Sequence, residues 1–182
     1  PTGCGKTIVF AKVIEERVRL GSNVLILAHR EELLQQASDK LAKSTGLQTA
    51  LEKAEKTGKP AVAIELNDER IVTGKTGELL GASAAALLNA LKVLGNIDDR
   101  VQLISPTIIE PIQKLKVNHM GSANPRLHTD EILMALAICA VSDPKAKLAL
   151  EQLDKLKDCE IHSTVMLSHV DERTFKTLGM HV

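Results

Sequence analysis

Apolar residues near the start of the chain recur with helical spacing, at Ile8, Val9, Val13, Ile14, Val18 and Leu20, and Gly21 closes that stripe. Residues 24–28 form a short unbroken apolar run of the kind buried in parallel sheets, and residues 31–41 return to helical spacing. From about Lys56 the pattern changes. Apolar and alternating runs at 60–66 and 70–73 flank the polar triplet Asn67-Asp68-Glu69, which predicts a β-hairpin. An alanine- and leucine-rich stretch predicts a helix over about 78–94. A strand over 101–104, three helices to about Leu156, a strand over 161–167 and a closing helix complete the expected order.

The chain opens PTGCGKT, which fits the end of the phosphate-loop pattern G-x-x-x-x-G-K-[ST], with the first glycine of that pattern falling one place before Pro1. Gly3 and Gly5 permit the close backbone approach that turns successive N–H groups toward phosphate oxygens. Lys6 is placed to reach the β and γ phosphates, and the Thr7 hydroxyl to ligate Mg²⁺ at the start of a helix. A second GKT, Gly74-Lys75-Thr76, has Glu69 where the opening glycine would stand, so it reads as a turn between strand and helix.

PTGCGKT together with LILAHREELLQQA resembles motifs I and Ia of superfamily 2 helicases, of the DEAD/DEAH or type III restriction-subunit sort. The resemblance covers residues 1 to about 55. It implies nucleotide binding by Gly3, Gly5, Lys6 and Thr7, and contact of His29 and Arg30 with a nucleic-acid backbone; a solvated strand-to-helix turn is the plainer reading of the latter two. Hydrolysis also needs an acidic pair after a buried strand. The two candidates, Asp130-Glu131 and Asp171-Glu172, read better as acids in the first turns of helices, with Thr129 as the N-cap of the earlier one.

Three longer stretches, AVAIELNDERIVTGKTGELLGASAAALLNALKVL, LISPTIIEPIQKLKVNHMGSANPRLHTDEILMALAICA and LEQLDKLKDCEIHSTVMLSHVDERTFKTLG, resemble the C-terminal part of the bacterial domain of unknown function 1846 family. That resemblance runs from about 57 to 180 and implies an α/β protein without an assigned activity. The expected organisation is therefore two units, 1–55 and 56–182, with no Gly/Ser- or Pro-rich linker between them. The fold class expected is α/β: a partial P-loop, RecA-like βα segment, then a mixed α/β region with parallel-sheet character and a helical middle.

Composition narrows the functions open to it. Twenty-three basic residues balance 23 acidic ones, and residues 1–55 carry eight basic against seven acidic, so no overall field draws in nucleic acid. Phe10 and Phe175 are the only aromatics, which excludes base stacking as a main binding mode. Cys4, Cys139 and Cys159 are scattered, and with no secretory signal or long apolar span they suggest a reducing cytoplasm and no membrane. Cys159-x-x-His162 with His169 lacks the second close pair of a zinc site, Cys139 lies in an apolar helix, and H-E-x-x-H is absent; no metal is expected.

The richest polar stretch is the connection over 118–130, where His119, Asn124, Arg126, His128 and Asp130 crowd between two helices. A small-molecule site here competes with a loop whose polar side chains satisfy their own backbone, and the second is favoured because no nucleophile and base are visibly paired. Ser105-Pro106 marks another polar turn, at the C-terminal end of the strand expected over 101–104, where α/β proteins often bind ligands. Three functions follow as expectations. The first is a vestigial P-loop that binds ATP with Mg²⁺ weakly and does not hydrolyse it. The second is a subunit-association module with a silent P-loop, and the third an enzyme with its site around 119–130. Nucleic-acid partnership and oligomeric state stay open.

Overall fold

The computed structural model of the protein describes residues 45–182. The helix, strand and helix expected within 7–41, and the candidates Gly3, Gly5, Lys6, Thr7, His29 and Arg30, lie outside the described residues.

Helix α1, Thr45–Thr57, spans the junction expected at 55/56 and lies against the sheet that follows. Strands β1, Ala61–Glu65, and β2, Ile71–Lys75, form the expected hairpin. Its turn is held where the Leu66 N–H donates to the Arg70 carbonyl at 2.9 Å and the Arg70 N–H to Asp68 Oδ1 at 3.2 Å. Glu69 takes up a φ of 67° there, a left-handed conformation that single turn residues occupy.

Strand β3, Glu160–Ser163, joins on the other side of β1, giving the order β2-β1-β3 with both pairings antiparallel. This corrects the parallel-sheet expectation. The apolar run in β1 arises because both faces are covered: Ala61 and Ala63 are buried alongside Val62 and Ile64. Helix α1 lies on one face and α2, Ala82–Leu94, on the other. Burial on two faces produces the same run whichever way the neighbouring strands point.

Gly74, the glycine of the second GKT, lies where β2 meets α2. A Cβ at this position would overlap the backbone of Ala86 and come within 2.6 Å of the Ala82 carbonyl. The motif serves close strand–helix packing: Gly74 and Lys75 are ladder residues of β2, which corrects the turn expected of them, and only Thr76 follows the strand. Helix α2 begins later than the expected 78, since Leu80 bridges to Leu127 and Gly81 occupies the N-cap.

Residues 101–104 bury Leu103 and Ile104 in the core but form no strand. Two turns confine them: the Val101 N–H donates to the Asp98 carbonyl at 3.0 Å, and Ser105 caps the next helix, α3, Pro106–Asn118. The polar turn Ser105-Pro106 thus starts a helix and does not follow a strand. Helix α4, Thr129–Cys139, then α5, Pro144–Leu150, and a short 3₁₀ turn, Leu153–Leu156, complete the helical middle. The N-cap of α4 is His128 and not Thr129, its own N–H taken by the Glu131 carboxylate at 2.8 Å.

Strand β3 stops short of the expected 167. Ser163 Oγ accepts the Val165 N–H at 3.3 Å, turning the chain, and Val165 and Met166 emerge into solvent. Helix α6, His169–Thr177, closes the unit with Ser168 as N-cap and Asp171 and Glu172 in its first turn, the role that their position near a helix start predicts. Phe175 is fully buried at its centre. No helix among the described residues is long and apolar enough to cross a membrane.

Candidate functional site

A cavity of about 290 Å³ opens where the start of β1, the entry to α2, the loop before α4 and the turn before α6 converge. Val62, Leu127 and Leu167 supply apolar wall; Asn124, Arg126 and His128 bring polar groups from the loop, and Ser168 and Asp171 from the first turn of α6. The mixture of apolar wall and few convergent polar groups is that of a small-molecule site.

The loop is fixed from beneath. Lys116, buried on α3, places Nζ 2.7 Å from Glu131 Oε2 and 2.8 Å from the Arg126 carbonyl, and the same carboxylate oxygen receives the His128 N–H. One buried cation thereby ties the loop's end to the first turn of α4. Leu127 is held from the side, its N–H donating to the Leu79 carbonyl at 3.0 Å while its own carbonyl accepts the Gly81 N–H at 3.2 Å. Arg126 Nε donates to the Gly77 carbonyl at 2.7 Å, which fixes the base of an otherwise exposed guanidinium.

At the floor lie His128, Ser168 and Asp171. Asp171 Oδ2 is 3.3 Å from His128 Nδ1 and receives the Ser168 hydroxyl at 2.8 Å, while Oδ1 accepts the Thr129 N–H at 2.9 Å. Ser168 Oγ is itself 3.2 Å from the same Nδ1 and accepts the Asp171 N–H at 3.1 Å. Serine, histidine and aspartate together suggest a nucleophilic triad, but the geometry denies it. A nucleophile must lie on the ring nitrogen opposite the one the carboxylate holds, and here both meet Nδ1. Ser168 is a helix cap. His128 is an oriented imidazole whose Nε2 has no hydrogen-bond partner among the described residues.

Of the residues the sequence singled out in 119–130, the fold brings Asn124, Arg126 and His128 to the cavity. His119 is the exposed C-cap of α3, and Asp130 Oδ1 accepts the Glu131 N–H at 2.7 Å; neither lines the cavity. Asn124 also closes the loop on itself, its Oδ1 accepting the Arg126 N–H at 3.1 Å. Ser168 and Asp171 escaped the sequence reading as site residues. The Ser-x-x-Asp spacing signals a helix start, and nothing local signals its reach to His128.

Cys139 and Cys159 are buried, and burial pushes both thiols upward from their ordinary range, against a nucleophilic role. Cys159 lies in the core while His162 is on the other face of β3, so the Cys159-x-x-His162 pair does not converge. The residues that could hold a metal among those described are Glu65, Glu160 and His162, across the sheet from the cavity.

Residues 42–182 match the family model described as domain of unknown function DUF1846, C-terminal. The Pro1–Thr7 motif lies outside that match. A UPF0371 protein of Corynebacterium glutamicum (strain R) is 56% identical over 133 residues, 73% of this chain and 27% of that protein. Another, of Corynebacterium aurimucosum, is 46% identical over 173 residues, 95% of this chain and 35% of its own length. A UPF0371 protein of Streptococcus sanguinis (strain SK36) is 53% identical over 133 residues, 73% of this chain and 27% of that protein. The chain thus spans about a third or less of the length of these bacterial relatives.

Proposed function

The chain belongs to the DUF1846 family, in its C-terminal part, and from that premise we propose that this unit supplies one wall of a small-molecule site. In it His128 exchanges a proton with a ligand whose carboxylate or phosphate group is received by Arg126. The observation that carries the reading is the engagement of His128 Nδ1 by Asp171, which leaves Nε2 as the nitrogen for the ligand. Arg126 supports it, since Nε is already anchored and the terminal nitrogens keep the planar geometry that suits two-oxygen anions. The facing wall is assigned to the part of the relatives' length that this chain does not span.

The test is titration of the chain with inorganic phosphate and with acetate, following the imidazole resonances of His128 and the guanidinium of Arg126. A concerted, saturable response of both side chains, weakened at the His128 ring by Arg126→Ala and at the Arg126 guanidinium by His128→Gln, supports the site. Scattered shifts that never saturate reject it and favour the second reading, a subunit-association module without chemistry. That reading draws on Met134, Ile138 and Val141, which leave a row of apolar side chains exposed along α4 and its C-terminal turn.

For Gly3, Gly5, Lys6 and Thr7 the proposal is weak binding of Mg-ATP without hydrolysis. Equilibrium binding that Lys6→Ala abolishes, with no phosphate release in the presence or absence of nucleic acid, is the expected result. No binding at all would leave PTGCGKT without a function.

A further inference from the structure

The antiparallel pairing of β1 with β3 sets Glu65 directly opposite Glu160 and Ala63 opposite His162. Side chains alternate across a sheet, so Glu65, Glu160 and His162 share one face, while Val62 and Ser163, which line the cavity, take the other. Two carboxylates facing each other across an antiparallel pair repel. Among the described residues, the ion-pair contacts of both carboxylates are to His162: Nε2 is 3.6 Å from Glu65 Oε2 and 3.7 Å from Glu160 Oε2.

Both distances are too long for a hydrogen bond. They are close to the spacing of neighbouring ligands around one tetrahedral ion, which is about 3.4 Å for metal–ligand bonds near 2.1 Å. One ligand atom from each of the three residues falls within 4.8 Å of the others. The ring is packed closely on the start of α1: a Cβ at Gly46, in that helix's first turn, would overlap the His162 Cδ2 and come within 2.6 Å of its Nε2. Glu160 is exposed, which gives an ion a path in from solvent and leaves room for water on that side.

We infer that Glu65, Glu160 and His162 form a three-ligand site for a divalent transition-metal ion, zinc foremost, with water completing the coordination. The imidazole selects against magnesium and calcium, which prefer all-oxygen shells, and the two carboxylates supply charge that offsets the ion's own. Bound there, the ion neutralises the opposed carboxylates and pins β3, a four-residue edge strand, to β1. The site is independent of the cavity and of the reading of His128.

The experiment is calorimetric titration of the full chain with zinc chloride, paired with thermal melts and the His162 ring resonances. One saturable site is expected, shifting the His162 ring and raising the melting temperature as zinc increases. Outer-shell partners of metal ligands are typically worth about tenfold or more in affinity. Loss of a direct ligand in Glu65→Gln or His162→Gln should therefore weaken binding by at least about tenfold. Without metal, Glu65→Gln should melt at or above the wild type, because it relieves the repulsion; this separates a lost ligand from a lost fold. His181→Gln, which alters the exposed His181–Asp158 contact, should leave zinc binding unchanged. Absence of a saturable site, or a site that survives Glu65→Gln and His162→Gln, or magnesium bound as tightly as zinc, overturns the inference.

Discussion

Asp171 Oδ1 accepts the backbone N–H of Thr129 at 2.9 Å, so a carboxylate in the first turn of α6 caps the first turn of α4. The first N–H groups of a helix have no partner within it. Asp171 supplies one for a neighbouring helix while its other oxygen faces His128 and Ser168. It is buried, so water does not readily replace it.

Asp171→Ala should therefore destabilise the chain by about 2–3 kcal/mol, the cost of stranding a buried N–H together with the loss of the Ser168 contact. Asp171→Asn retains an acceptor and should cost about half as much. Urea unfolding followed by circular dichroism measures both, and equal losses would mean that charge matters here and the cap does not.

Gly74→Ala should be among the most damaging small substitutions in the unit, at about 3 kcal/mol or more, because the added methyl meets helix backbone and not a movable side chain. Gly77→Ala is the control. Its nearest neighbour would be 3.9 Å from the new Cβ, and its stability should stay within about 0.5 kcal/mol of the wild type.

Lys116→Met leaves the Arg126 carbonyl and the Glu131 carboxylate without their cation, for a loss of about 2 kcal/mol. The figure is discounted because Glu131 retains some solvent contact. Adding Glu131→Gln should recover part of that loss, since the two residues form one network. Additive losses in the double variant would show that the two side chains act separately.

Arg100 hydrogen-bonds the Asp98 carboxylate through its side chain and its backbone N–H, holding Asp98 at a pKa of about 2. A carboxyl depressed in the folded state adds stability above its ordinary value of about 3.9 and loses it as pH falls toward 2. The pair is exposed, so the effect is read by titration. Following the Asp98 carboxyl carbon by NMR should give a midpoint near 2 that Arg100→Gln moves back toward the ordinary value. An unmoved midpoint would assign the depression to other groups.

What the sequence determined by itself is what local rules govern. The hairpin around Asn67-Asp68-Glu69, the alanine-rich helix ending at Leu94 and the helix start at Asp171-Glu172 follow from periodicity, turn chemistry and capping, each contained within a few residues. Tertiary structure decided the rest. An apolar run records that both faces of β1 are covered but not which strand joins its free edge or in which direction, so the antiparallel pairing of β3 with β1 could not be read from it. Leu103 and Ile104 are buried as their character demands, yet the turns on either side leave no ladder for them to join. His128 meets Asp171 across 43 residues of chain, and Glu65 meets Glu160 and His162 only through the register of β1 on β3. Such convergence depends on how distant segments pack, and no local spacing encodes it.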